Sequence, residues 1–215
     1  MTDRPIIFSA PMIRALLEGR KSQTRRVLKL AGRAPDYIGP HGCQDDPTCW
    51  GWEMPDIGGY VTVGGDDKDH LPGWRNGWRD WQGAYAPGDR LWVREAFSYD
   101  RLDVERDGIL PPWHWADGNP ESGDWSRPKP SIHMPRWASR LTLIVTDVRV
   151  QRLGDLTDED AIAEGIDVTC GLTPSVTYAI LWDKINAKRG YPWKSNPWIV
   201  ALTFRTELSS APFNQ

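Results

Sequence analysis

The chain has 215 residues, of which 40% are apolar and 26% charged, the length of one domain and the balance of an ordinary globular protein. No apolar run approaches the roughly 18 residues that a bilayer span requires, which excludes membrane insertion. A formal charge of −3 and a pI near 5.8 speak against a protein that grips long nucleic acid through many phosphate contacts, and favour a small substrate or a short nucleic-acid contact.

The N-terminal stretch MTDRPIIFSAPM is too short and too interrupted for a signal-peptide core, and three cysteines are too few for a disulfide scaffold. A reducing cytoplasm is the expected setting. Ala10 to Glu18 reads as a helix: Ile13, Leu16 and Leu17 fall on one face, Pro11 suits the first turn and Gly19 is a natural stop. Lys21 and Thr24 therefore follow a helix end. The first thirty residues carry seven Lys or Arg against two acids, whereas Asp36 to His70 carries eight acids against Lys68 alone. That acidic, Gly-rich stretch reads as part of a surface insertion over about residues 30–85. Arg90 to Phe97 is a strand candidate. A second insertion follows over about residues 99–130, broken by Pro111, Pro112, Pro120, Pro128 and Pro130.

Arg140 to Val150 reads as a strand whose apolar phase shifts between Val145 and Val148, predicting a bulge at Thr146-Asp147. Bent strands of this kind suit a small barrel. Thr157 and Asp160 resemble a capping box opening a short helix, Asp158 to Glu164, stopped by Gly165. A longer helix, about Pro174 to Ala187, is capped by Thr173 and presents Tyr178, Leu181, Trp182 and Ile185 on one face. Trp198 to Glu207 alternates: Trp198, Val200, Leu202 and Phe204 on one face, Ile199, Ala201, Thr203 and Arg205 on the other. The 13 Trp outnumber the Tyr (6) and Phe (4) combined, and loop-borne Trp either fills small cores under loops or walls a pocket.

Gly19 to Arg26 places four cations (Arg20, Lys21, Arg25, Arg26) and two hydroxyls behind a helix. A lysine crowded by arginines and partly desolvated is pushed towards its neutral form, and a nearby hydroxyl such as Thr24 then becomes a candidate nucleophile. A strict strand would set residues 21 and 24 on opposite faces, so their cooperation requires a turn. By residue type alone the segment reads first as a solvated basic turn that touches phosphate or nothing. Gly154 to Asp167 holds six acids and no base, complementing that segment in charge. Within it, Glu164 sits at the negative end of a helix dipole, where its charged form is disfavoured and proton transfer is favoured. Glu95 is the rival carboxylate. His41, Cys43, Cys49 and His70 fall in the first insertion, but their spacing lacks a Cys-x-x-Cys knuckle, and neither metal nor other cofactor is expected.

The segments RPIIFSAPMIRALLEGRKSQTRR, GDRLWVRE, PSIHMPRWASRLTL and NPWIVALTFR together resemble the ASCH-domain family of the PUA-like barrel superfamily, in the longer form often encoded by phages and prophages. The resemblance covers roughly residues 4–29, 86–98 and 131–207. It implies an α+β fold, a PUA-like small β-barrel with flanking helices, formed by a single domain over residues 1–215 with the two long loop insertions. One branch of that family hydrolyses N4-acetylcytidine to cytidine and acetate with a catalytic Lys, Thr and Glu. Its Gly-Arg-Lys-x-x-Thr-x-Arg motif is similar to Gly19, Arg20, Lys21, Thr24 and Arg26. The resemblance therefore implies Lys21 and Thr24 as catalytic residues, with Glu164 as the third through the anchor Leu156-Thr157-Asp158. Arg26 and Arg20, together with Arg136 and Trp137 in the third matching segment, are the implied substrate-binding residues. The implied partner is a small nucleoside; short RNA, either bound without catalysis or cleaved, is the alternative.

Overall fold

The computed structural model describes residues 3–29, 32–39, 42–54, 59–64, 85–100, 111–167 and 171–208. Among these the chain runs β1 (Asp3–Ile7), α1 (Ala10–Leu17), β2 (Gln23–Val27), β3 (Asp36–Tyr37), β4 (Trp50–Met54), β5 (Gly59–Thr62), β6 (Arg90–Arg94), β7 (Phe97–Ser98), β8 (Trp113–His114), β9 (Leu141–Arg152), α2 (Asp158–Ala163), α3 (Pro174–Asn186) and β10 (Trp198–Leu208). The architecture is α+β. A five-stranded sheet of order β1-β6-β9-β10-β2 forms its centre, parallel between β1 and β6 and antiparallel elsewhere.

The longest ladder joins β9 to β10, and its register slips between Thr203 and Phe204, which face Asp147 and Val145 respectively. Thr146 is thus the extra residue of a bulge, where the apolar phase of β9 shifts. Strand β10 is buried on both faces from Trp198 to Leu202, where both alternating sets are apolar. Trp198, Val200, Leu202 and Phe204 join the main core with Leu91, Leu143 and α1's Ile13 and Leu16. Ile199 and Ala201 face a second core built from Leu153, Leu156, Tyr178 and Trp182 under α2 and α3. The caps are where local chemistry expects them: Thr157 Oγ1 accepts from Asp160 N at 3.2 Å, and Thr173 Oγ1 from Val176 N at 3.4 Å.

Two expectations change. The first insertion is more than a surface loop: β3, β4 and β5 form a small sheet, and Trp52, Val61 and Val63 are buried in the main core. Arg152 pins this sheet to the centre, its guanidinium 4.3 Å from the ring centroids of both Trp50 and Trp198. The central sheet, in turn, is open among the described residues where a closed barrel is expected. Its edges are β1 and β2, and no ladder joins them. A side chain bridges the seam instead, Arg26 Nη2 donating to Ile7 O at 3.2 Å, beside a cavity lined by residues of both strands. Among the described residues no helix is long and apolar enough to cross a membrane.

Candidate active site

Two positive-φ glycines shape the site's backbone. Gly19 (φ +71) ends α1, and the amides of Arg20 and Lys21 both donate to Ala15 O, which turns the chain inwards. Lys21 then pairs with Glu164 in an isolated antiparallel bridge. Ser22 is held from both sides, its amide donating to Ala163 O at 2.8 Å and its carbonyl accepting from Phe204 N at 2.9 Å. Beyond it Thr24 lies in edge strand β2, opposite Leu202. Glu164 caps the C-terminal end of α2. Gly165 (φ +84) lies so close to the site that an added Cβ would meet Ala15 Cβ at 2.9 Å and Lys21 Cβ at 3.1 Å.

Lys21, Thr24, Arg25 and Glu164 are all less than 5% exposed. Lys21 Nζ donates to Glu164 Oε2, Glu164 O and Gln23 O, each at 2.7 Å, so its three ammonium protons are all used. The other carboxylate oxygen, Glu164 Oε1, accepts from Arg25 Nη1 at 3.2 Å and from Tyr178 OH at 3.3 Å. Arg25 reaches Asp160 Oδ2 at 2.7 Å as well. Thr24 Oγ1 accepts from Arg26 Nη1 at 2.7 Å, leaving its own proton uncommitted among the described residues. Arg26 also donates to Arg25 O and Ile7 O, and lies 5.2 Å from the centroid of the Phe8 ring.

Burial pushes the Lys21 amine below its ordinary value; Glu164 opposes that shift without cancelling it, and Arg26 and Arg25 add to it. Burial also holds the Tyr178 phenol well above its usual value, and the Glu164 carboxylate acts in the same direction. Tyr178 is therefore a neutral hydrogen-bond donor to Glu164. The result is a buried lysine whose charged form is disfavoured, paired with a carboxylate and lining the same cavity as an uncommitted threonine hydroxyl, groups that acyl transfer can use.

These groups open onto a cavity of about 570 Å3. Lys21, Thr24, Arg26 and Glu164 all line it, as do Phe8 and Met12 on one side and the Tyr178, Leu181, Trp182 and Ile185 face of α3 on the other. The strict-strand objection to residues 21 and 24 does not apply, because Lys21 precedes β2 and that strand is an edge open to the cavity. Arg20 lies outside the lining, with Nε donating to Glu18 Oε2 at 2.7 Å and Nη1 to Gly165 O at 3.4 Å.

Arg136 and Trp137 are also not among the lining residues. Arg136 pairs with Asp3 at 3.4 Å, and Trp137, 43% exposed, stacks on Tyr99 with centroids 5.8 Å apart. Glu95 is a buried strut: Arg140 contacts both its oxygens, at 2.9 and 3.0 Å, and carries the link on to Asp117. His41 and His70 lie outside the described residues, while Cys43 Sγ is 3.4 Å from Tyr37 OH. Among the described residues no cluster of three or more His, Cys, Asp or Glu is placed to hold a metal ion.

Sequence reasoning did not single out Arg25 or Tyr178 as partners of Glu164. For Arg25 the signal was its place in the basic run. For Tyr178 it was a hydroxyl on an otherwise apolar helix face, where a buried phenol needs a partner. No protein family, curated protein or solved structure matches the chain.

Proposed function

We propose that this chain is an amidohydrolase that removes the acyl group from N4-acetylcytidine or a related N-acylated pyrimidine nucleoside, on a PUA-like fold of the ASCH kind. The observation that carries this reading is the convergence of Lys21, Thr24 and Glu164 on one cavity of about 570 Å3, with Lys21 Nζ 2.7 Å from Glu164 Oε2. That volume falls in the range of roughly 300–1,000 Å3 usual for small-molecule sites. A pocket of this volume suits a nucleoside, whereas RNA would need a long positive groove. The PUA-like reading of the fold is supported by the facing edges β1 and β2, which Arg26 bridges across the cavity mouth.

In the proposed reaction a ligand that fills the cavity strips the remaining water from the Lys21–Glu164 pair. The shared proton then moves from Nζ to Oε2, leaving a neutral amine and a neutral acid. Thr24 Oγ1 attacks the acyl carbonyl while its proton passes to Lys21 Nζ, and Arg26, already bonded to Oγ1, steadies the developing oxyanion. The C–N bond breaks as Glu164 returns its proton to the departing N4 amine. Water then attacks the Thr24 ester, giving one proton to Glu164, while Lys21 returns its own to Oγ1. Acetic acid leaves, losing its remaining proton to bulk water, and the proton on Glu164 returns to Lys21 Nζ, which restores the starting ion pair. In the alternative route Lys21 and Glu164 activate water directly, and Thr24 only hydrogen-bonds the substrate.

The test is incubation of the purified chain with N4-acetylcytidine, without added metal, following cytidine by chromatography beside Lys21→Ala and Glu164→Ala variants checked for folding by circular dichroism. Release by the wild type alone is the expected result. One observation favours a second reading, a non-catalytic reader of a modified base or short RNA: all three Lys21 protons are committed to acceptors within the protein. An inert wild type that still binds cytidine or short RNA would decide for the reader.

A further inference from the structure

We infer that the ligand of this cavity carries a phosphate, so that the preferred substrate is an N-acylated pyrimidine nucleotide with its phosphate received by Arg189. The inference rests on the amidohydrolase reading for the identity of the reacting end, and on the charge of the lining for the other end. Four cations line the cavity (Lys21, Arg25, Arg26 and Arg189) against the single carboxylate of Glu164. Lys21 and Arg25 share that carboxylate, and Arg25 also has Asp160. Among the described residues Arg26 is bonded only to neutral acceptors: Thr24 Oγ1, Arg25 O and Ile7 O. Arg189 has no hydrogen bond or ion pair among the described residues. Among the described residues two guanidinium groups without a carboxylate therefore face one pocket, in a chain whose net charge is −3.

The placement of the charges matters as much as their number. Lys21, Thr24 and Glu164 are buried, whereas Arg189 is exposed yet still lines the cavity, so the pocket runs from a buried reacting end to a cationic rim. A pyrimidine nucleoside has the same polarity. Its N4 amide and its 5′ carbon lie at opposite ends, and with N4 at Lys21 and Glu164 the 5′ substituent falls towards the rim. A guanidinium there offers a forked donor that matches a phosphate, and Asn186, the last residue of α3, also lines the cavity and adds an amide. A cation is ordinary at a helix C-terminus. What separates Arg189 from Lys184 and Lys188 is that it alone of the three lines the cavity.

The test is calorimetric titration of cytidine 5′-monophosphate, cytidine, orthophosphate and a cytidine hexanucleotide into the wild type and Arg189→Gln. That variant alters an exposed side chain, and its thermal midpoint is checked against the wild type. The monophosphate is expected to bind about tenfold more tightly than cytidine, the order of a charged hydrogen bond at a partly screened site. The ratio should fall towards one in Arg189→Gln and with added salt. Equal affinities, a ratio that survives Arg189→Gln, or binding of neither ligand overturns the inference. Tighter binding of the hexanucleotide than of the monophosphate overturns it in favour of RNA. Because none of these ligands carries an acyl group, the readout is independent of hydrolysis. A monophosphate preference without acetylcytidine cleavage would remove the hydrolase reading and keep the phosphate site; cleavage without the preference would do the reverse.

Discussion

Replacing Glu164 by Gln removes the carboxylate on which Lys21, Arg25 and Tyr178 converge. The amide keeps the shape but has one acceptor oxygen instead of two, so either Lys21 or the Arg25–Tyr178 side meets an NH2 donor. Arg25 retains Asp160 at 2.7 Å. With the amide oxygen turned to Arg25 and Tyr178, Lys21 keeps only the backbone carbonyls of residues 23 and 164, and in either orientation a buried ammonium is left without a counter-charge. Breaking a buried pair in this way costs about 3–5 kcal/mol, equivalent to a fall in Tm of roughly 6–20 °C for a chain of this size.

The penalty depends on pH, and its sign follows from linkage. Burial already lowers the folded-state pKa of Lys21 below the ordinary 10.5, and Glu164 is the group that opposes the shift. Without the carboxylate the folded pKa falls further, so between that value and the ordinary one the unfolded chain binds more protons than the folded chain. Stability of the variant then rises with pH, and the deficit relative to wild type shrinks between neutrality and about pH 9.5. Urea unfolding followed by Trp fluorescence at both pH values measures this. A neutral-pH deficit under about 1 kcal/mol, or one that grows with pH, would refute the assignment of Lys21–Glu164 as a charged buried pair. A cycle with Lys21→Met should show a coupling of at least about 1 kcal/mol, because residues in one network do not act additively.

Further outcomes follow from the same geometry. Thr24→Val keeps the volume and leaves the Lys21–Glu164 pair intact, so it should unfold within about 2 kcal/mol of wild type. Its cytidine release from N4-acetylcytidine should fall by at least about 100-fold; retention within tenfold would favour direct water attack, as would the absence of an acetylated Thr24 peptide in single-turnover mass spectra of the wild type. Gly165→Ala forces a Cβ to within 2.9 Å of Ala15 Cβ and 3.1 Å of Lys21 Cβ at φ +84. It should cost about 1–3 kcal/mol in thermal unfolding and reduce turnover by shifting Lys21; unchanged stability would disprove the close approach. Arg152→Ala removes the guanidinium between Trp50 and Trp198 and its bonds to Gln44 O and Asn196 O. Limited proteolysis should then cut the segment around β3 to β5 faster, with about 1–2 kcal/mol lost; an unchanged cleavage rate would show that the small sheet is held by its buried Trp52 and Val61 alone.

Elements whose determinants are local were legible in the sequence. α1 and α3 carry their apolar faces and stop or cap residues within one stretch of chain. α2 has Thr157 and Gly165 at its ends, and β10 alternates without interruption. Even the bulge at Thr146 is written in the apolar phase of β9. The edge strands were not legible. β1 is DRPII and β2 is QTRRV, too short and too charged for a period-two signal, and they form because distant partners accept their backbone hydrogen bonds. The core residues of the first insertion were hidden for a related reason, since Trp52, Val61 and Val63 are apolar points in an acidic, Gly-rich run that only packing shows to be buried.

The candidate site divides along the same line. The sequence by itself determined that a crowded basic segment follows a helix stop and that an acidic helix ends in Glu164, and its resemblance to a family selected Lys21, Thr24 and Glu164 from them. Only the tertiary structure decided that Lys21 and Glu164, 143 residues apart, lie 2.7 Å from each other, that Arg25 and Tyr178 complete the carboxylate's partners, and that Arg136 and Trp137 lie away from the cavity. Periodicity and capping act over a few residues, where the chain's own geometry fixes who neighbours whom. The partner of a buried charge is chosen by sheet order and helix packing, which bring together segments that carry no mark of one another.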